Sequence, residues 1–181
     1  MIEKVKSMIL NLCENKEWCW KEHIEAVVKY SKQLAKEVSA NEEICEISAW
    51  LHDIKKLKGE HEGHHISGSE EAGEILSDLG YPEDKIKKVK ECILTHSSDE
   101  NYPPQSIEAK VLACADLLSH FDIFMEFAYY AYALNKDSIE EGKERLRKKY
   151  KKAMKKIILP EAKKIAQPKY EAIMLILGEE N

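Results

Sequence analysis

The sequence predicts an all-α fold, a bundle of about seven to nine helices. Apolar residues recur at helical spacing from end to end, and period-two runs of β-branched residues bounded by turns are absent. A composition of 34% charged and 44% hydrophobic residues fits the same picture, a helix-rich globule with solvated outer faces.

A first short helix is expected over roughly Ile2 to Leu12 and a second over about Trp20 to Val38, which places Ile24, Val27, Val28, Ser31, Leu34 and Ala35 on one face with His23 one turn earlier. Asn41 can cap a third helix, with Glu42 and Glu43 in its first turn, and this helix ends near His52-Asp53. A polar loop from Lys55 to His65 precedes a helix from about Ser67 to Leu79, stopped by Gly80. Pro82 starts the next, which extends to His96. Ser98 to Ser106 is the clearest loop. A long helical run then opens near Ile107, contains Asp116 and continues through the aromatic stretch Phe121 to Leu134. After a break at Asn135 to Ser138, a charged helix runs from Ile139 to Ile158, and Pro160 and Pro168 punctuate two last short helices.

At 181 residues the chain fits one domain able to bury a core without staples. A net charge of −5 argues against a general nucleic-acid binder. The five cysteines (Cys13, Cys19, Cys45, Cys92 and Cys114) form no C-x-x-C pair, so they read with Trp18, Trp20 and Trp50 as packing residues rather than a disulfide framework or zinc site. Charged residues interrupt the N-terminal segment and no apolar run reaches membrane-spanning length, so the expectation is a cytoplasmic chain without a membrane span.

The chemistry lies in where the ionisable groups stand. Asp116 sits within the apolar run Ala109 to Leu118, and Asp53 follows Ala49, Trp50 and Leu51. A buried carboxylate needs a partner. With His23 and His52 they form a mixed nitrogen and oxygen set suited to a first-row divalent cation such as Mn, Fe, Co, Ni or Zn, with open positions for water and a phosphate oxygen.

His23, His52-Asp53 and Asp116 in this order resemble the H…HD…D signature of the HD-domain phosphohydrolase superfamily. Trp50-Leu51-His52-Asp53-Ile54-Lys55-Lys56 is similar to that family's "LLHDIGK" helix end, with Lys55 where the family has Gly, and Cys114-Ala115-Asp116-Leu117-Leu118 to its "xADxL" segment. The resemblance covers roughly Lys21 to Leu118. It implies a single HD-type domain over 1–181, with a motif-bearing core of about 18–134 and a helical extension of about 138–181. It also implies hydrolysis of a phosphoester or phosphoanhydride of a nucleotide by hydroxide held on one or two divalent ions, Mg included. Lys56 falls at the family's lysine position, either as a substrate-phosphate contact or as a solvated loop residue.

His64 followed by Gly68, and then His96, resemble the extra ligands of two-metal members, with spacing similar to HD-class diadenosine tetraphosphate hydrolases. On that pattern Asp53 bridges two cations. His65 is the alternative to His64, while His61 and His120 read as loop and helix-surface residues. Two other functions stay open: a di-iron oxygenase of the same fold, and a non-catalytic regulator that binds metal or nucleotide.

Two further features have competing readings. The segment from Lys143 to Lys164 holds eleven Lys or Arg against Glu144 and Glu161, and reads first as a solvated helix face, second as an attractor of polyphosphate or RNA. The aromatic run Phe121, Phe124, Phe127, Tyr129, Tyr130 and Tyr132 reads as core packing, a base-stacking pocket or a homodimer interface.

Overall fold

The structure, a computed structural model, describes residues 1–14, 21–97 and 99–179. Among them the chain is all helix, with no strand. The elements are α1 (Ile2–Cys13), α2 (Lys21–Glu37), α3 (Glu42–Leu51), α4 (Ile54–Leu57), α5 (His64–Asp78), α6 (Glu83–Thr95), α7 (Ile107–Asp122) and α8 (Phe124–Tyr129), then a π-helical segment (Tyr130–Leu134), α9 (Ile139–Lys156) and α10 (Pro160–Ile176). All but α4 and α8 reach ten residues, which leaves eight full helices among the described residues. The expected helix start at Trp20, the packing roles of Trp18, Cys19 and Trp20, and the loop start at Ser98 lie outside the described residues.

Helix α7 is the axis of the fold. Every residue from Val111 to Ser119 is buried, as a helix surrounded by other helices requires. It packs against α2, α3, α6, α9 and α10, while α5 is held on the outer side of α6. Caps set the ends: Asn41 Oδ1 accepts from the Ile44 N–H at 3.1 Å, Ser106 Oγ from Ala109 at 3.2 Å, and Ser138 with Glu141 forms a reciprocal capping box. Tyr30 donates to Asp122 at 2.7 Å and Lys169 pairs with the same carboxylate, so α2, α7 and α10 meet at one charged knot.

Four sequence expectations are corrected. A short α4 forms inside the expected 55–65 loop, and α5 begins at His64 rather than Ser67, because Gly63 takes a left-handed conformation (φ 61°) and turns the chain early. The long run from Ile107 breaks at Ile123 (φ −98°, ψ 32°), so the aromatic stretch beyond it belongs to α8 and the π-helical segment, not to the helix of Asp116. Pro168 lies inside one 17-residue α10 rather than between two short helices. Its missing N–H removes one helical bond, but Ala162 and Ala166 before it and Ile173 and Met174 after it are all buried, and that packing holds the helix together across the gap. Lastly, Cys13 is disulfide-bonded, whereas Cys45, Cys92 and Cys114 are buried free thiols. No helix among the described residues is long and apolar enough to cross a membrane.

The π-helical segment depends on one glycine. A Cβ at Gly142 would come within 2.1 Å of the Tyr132 ring edge. Gly142→Ala is therefore expected to displace that ring and lower stability by about 1–3 kcal/mol, read as a reduced urea midpoint. An unchanged midpoint would show that the segment yields freely.

Candidate metal centre

Five elements deliver the predicted side chains to one point. His23 comes from the first turn of α2, His52 from the end of α3, Asp53 from the junction with α4, His64 from the first residue of α5, His96 from the end of α6 and Asp116 from the middle of α7. All are buried except His64, which is partly exposed. The junction itself explains the adjacent pair: Asp53 leaves helical geometry (φ −109°, ψ 22°), which lets neighbouring side chains converge where a continuous helix would splay them about 100° apart.

The two oxygens of Asp53 face different groups. Oδ2 lies 3.5 Å from both His23 Nε2 and His52 Nε2, while Asp116 Oδ1 lies 3.4 Å from His23 Nε2 and 3.8 Å from His52 Nε2. Oδ1 lies 3.6 Å from His64 Nε2 and 3.5 Å from His96 Nε2. The centre thus has two lobes joined by one carboxylate. His64 is the histidine that faces Asp53; His65 turns away to Asp99, 3.6 Å off, and stacks edge-on to Tyr102.

Hydrogen bonds behind the rings fix where the protons are. Nδ1 of His52, His64 and His96 meets the carbonyls of Ala49 (2.7 Å), His61 (3.0 Å) and Ile93 (2.6 Å). A carbonyl only accepts, so each Nδ1 carries the hydrogen, which leaves Nε2 as the ring nitrogen that can offer a lone pair to the centre. Ser119 does the same for His23: its hydroxyl donates to the Asp116 carbonyl at 2.6 Å, leaving Oγ to accept from His23 Nδ1 at 2.8 Å. His23 Nε2 and His52 Nε2 then stand 3.0 Å apart with lone pairs face to face. That contact requires either a proton or a metal ion between the two nitrogens. On the other lobe, Asp53 Oδ1, His64 Nε2 and His96 Nε2 are buried with no hydrogen-bond partner among the described residues, an arrangement that is costly for polar atoms without a ligand. The donor set fits divalent metal.

Burial disfavours the charged form of His52 and His64. It lowers His52 and His64 to about 4, and for His64 the Lys56 charge adds to the effect. Burial alone would raise Asp53 and Asp116, but it is outweighed: by His52, His23, His96 and Lys56 at Asp53, and by His120 and the other rings at Asp116, so both carboxyls stay ionised. His23 Nε2 thus faces carboxylates.

These shifts carry a stability prediction for the metal-free protein. Well above pH 6.5, His52 and His64 are neutral whether folded or unfolded. Between about 6.5 and 4 the unfolded chain takes up protons that the folded one refuses, so stability falls as pH falls, by about 3 kcal/mol for His52 alone. Below about 4 that loss levels off. Urea midpoints of chelated protein at pH 7.5, 6 and 4.5 should fall in that order; equal midpoints would contradict the burial of neutral imidazoles.

Two residues of the centre were not read from the sequence in this role. Ser119 sets the His23 tautomer, as above. His120, expected on the helix surface, stacks on His23 (centroids 5.8 Å apart, 21° between planes) and lies with His23 and Asp116 in a third potential ligand group. Burial, reinforced by Lys149, brings it down to about 3. Their signal was the spacing from Asp116, three and four residues along one helix.

Lys56 donates to Asp53 Oδ2 at 3.0 Å, so it supports a carboxylate of the centre. Lys55 lies within α4 with right-handed neighbours and pairs with Glu71 at 2.9 Å, which ties α4 to α5 where the family pattern has Gly. The basic helix α9 is not simply a solvated face. A cavity of about 430 Å³ lies between it and the centre, lined by Asp116 and His120 on one side and Arg145, Lys148, Lys149 and Lys152 on the other. Lys149 is partly buried, its Nζ 3.6 Å from the centroid of the Phe127 ring, and burial lowers it to about 8.

Several solved structures share this architecture. An HD-superfamily hydrolase from Bacillus thuringiensis aligns with a TM-score of 0.74 at 22% identity, over 97% of this chain and 92% of that one. A predicted HD-superfamily hydrolase from an uncultured Thermotogales bacterium gives 0.71 at 19%, over 97% and 88%. Bacillus subtilis YpgQ in complex with ADP gives 0.73 at 15%, over 98% and 94%. A search of curated proteins gave no match. The HD domain family profile matches residues 20–120, which hold His23, His52, Asp53, His64, His96 and Asp116. With more than half its length matched to that profile, the chain belongs to the HD domain family.

Proposed function

We propose that this chain is a metal-dependent phosphohydrolase that cleaves a phosphoester or phosphoanhydride bond of a nucleotide. The observation that carries the reading is the set of four imidazoles whose Nε2 lone pairs are fixed toward the two oxygens of one buried carboxylate. His23, His52, Asp53 and Asp116 would hold one ion; Asp53, His64 and His96 would hold a second. The mixed imidazole and carboxylate set suits Mn, Fe, Co, Ni or Zn. When bound, such ions supply Lewis-acid activation of water and neutralise charge on phosphoryl oxygens.

The chain's own groups do the rest. Lys56 holds Asp53 in place and keeps its carboxylate charged. His120, neutral at the cavity wall beside Asp116, offers a ring N–H to a phosphoryl oxygen. The basic wall of α9 attracts a phosphate-bearing ligand into the cavity. The ADP complex of the structurally similar YpgQ supports a nucleotide as the substrate.

The test is elemental analysis of the purified protein, together with hydrolysis of an aryl phosphodiester and a nucleotide panel before and after chelation. About two ions per chain and chelator-sensitive hydrolysis restored by Mn or Co are expected. Hydrolysis that survives complete metal removal would overturn the reading.

A further inference from the structure

Resting on that reading, we propose that Lys149 is a catalytic residue, the acid that hands a proton to the departing oxygen as the phosphorus–oxygen bond breaks. Arg145, Lys149 and Lys152 stand at i, i+4 and i+7 of α9, one stripe that faces Asp116 and His120 across the cavity of about 430 Å³. An in-line displacement that starts from the carboxylate wall sends the leaving oxygen toward the opposite wall, which is this stripe.

The other ionisable groups near the cavity are unsuited to the task. Arg145 is bound to Asp137, and a guanidinium does not release its proton. Lys148 is paired with Glu144 at 3.2 Å, Lys56 with Asp53 at 3.0 Å, and Lys156 has a partner of its own. Asp116 is ionised, and His120, brought down to about 3, holds no imidazolium proton near neutrality. Lys152 is exposed to solvent. Lys149 differs on each count. It is partly buried and has no carboxylate within ion-pair distance among the described residues. Its Nζ lies 3.6 Å from the centroid of the Phe127 ring, a contact that desolvates the charge without neutralising it. Phe127 stands edge-on to His120, centroids 5.3 Å apart, and His120 stacks on His23, so a run of rings ties the ammonium to the centre. Burial, with Lys56 and Lys152 adding to it, outweighs the opposing pull of Asp116 and brings the amine to about 8, close to the pH at which a proton donor is most effective.

In the step itself, the water oxygen bonds to phosphorus while the bond to the leaving oxygen breaks. The electron pair of that bond goes to the leaving oxygen, which takes the proton from Lys149 Nζ. The water gives up a proton to solvent, and solvent returns one to the amine.

Methyl aryl phosphodiesters with 2,4-dinitrophenol, 4-nitrophenol or phenol as leaving group test this, because dinitrophenolate departs without a proton and phenolate does not. Lys149→Arg keeps the charge but releases no proton, and Lys149→Met keeps the stem against Phe127 and has neither. Both should lose about 10²-fold or more in kcat on the phenyl ester, and about threefold or less on the dinitrophenyl ester. Lys152→Met, which removes an exposed charge of the same stripe, should lower all three esters by one factor. Circular dichroism melts of the three variants should match the parent. Recovery of the phenyl ester by Lys149→Arg, or a loss in the Lys149 variants that is equal across the series, would overturn the proposal and leave metal-dependent hydrolysis standing. Absent or chelator-insensitive hydrolysis in the parent protein would overturn both.

Discussion

Replacing Asp53 with alanine is expected to empty the centre of metal and to lower hydrolysis by about 10³-fold or more. Asp53 is the one residue whose two oxygens face both lobes, Oδ2 toward His23 and His52 and Oδ1 toward His64 and His96. On the proposed reading, its removal would take a ligand from each lobe at once and leave the four Nε2 atoms with no anion between them. Loss of several kcal/mol of metal-derived stabilisation converts to that rate factor. The fold should survive, because the Asp53 side chain caps nothing, the bond that opens α4 runs from the Leu57 N–H to the backbone carbonyl of residue 53 and is kept, and a φ of −109° is open to alanine. Circular dichroism should therefore match the parent, while the rise in melting temperature on adding Mn or Co disappears. Asp53→Asn, which keeps the shape but not the charge, should fall close to the alanine variant. A variant that kept full metal content would mean that the carboxylate is held by Lys56 alone and is not a ligand.

How much of this was legible in the sequence depends on which physical rule each residue breaks. Asp116 among Val111, Leu112, Ala113 and Cys114 is conspicuous because a charge in an apolar run demands a partner. His52-Asp53 is conspicuous because it ends a helix, and His23 because it lies on a buried stripe. Those positions converge in the fold as the motif resemblance implied. Ser119 and His120 broke no rule. On a helix buried all round, periodicity does not separate the residues that face a site from those that face the core, so their roles emerged only with the neighbours of α7 in place. The stripe on α9 failed for a related reason. Leu146, Tyr150 and Ala153 mark its buried side, and the sequence says nothing of what the other side overlooks. The breaks at Ile123 and within the aromatic stretch carry neither Gly nor Pro, so no local signal announced them, whereas Pro168 did signal a break that packing overrode.

Replacing His96 with alanine separates one ion from two, and its expected result is a fall from about two ions per chain to about one. Of the two carboxylates His96 and His64 approach Asp53, with Oδ1 3.5 and 3.6 Å away, and the one ring contact between the lobes is His96 edge-on to His52, centroids 5.1 Å apart. The first lobe keeps four candidate ligands in their present positions, since the Nδ1 bonds that orient His52 and His23 run to Ala49 and Ser119 and involve neither His96 nor His64. Metal there should persist. Hydrolysis should still fall, by about 10²-fold or more, if His64 and His96 would hold a second ion, since the Lewis-acid chemistry that ion would supply is then lost. His96 is almost fully buried, so the truncation also costs about 1–3 kcal/mol of stability, and His96→Gln, closer in volume, serves to show that the activity loss does not follow the loss of fold. His64→Ala should reproduce the metal count with a smaller cost in stability, as expected for its greater exposure. Were either variant to lose all metal together, the two lobes would be one coupled site in which neither ion is held without the other. Were both to keep full metal and activity, the second lobe would hold no catalytic ion, and the chemistry would belong to His23, His52, Asp53 and Asp116 alone.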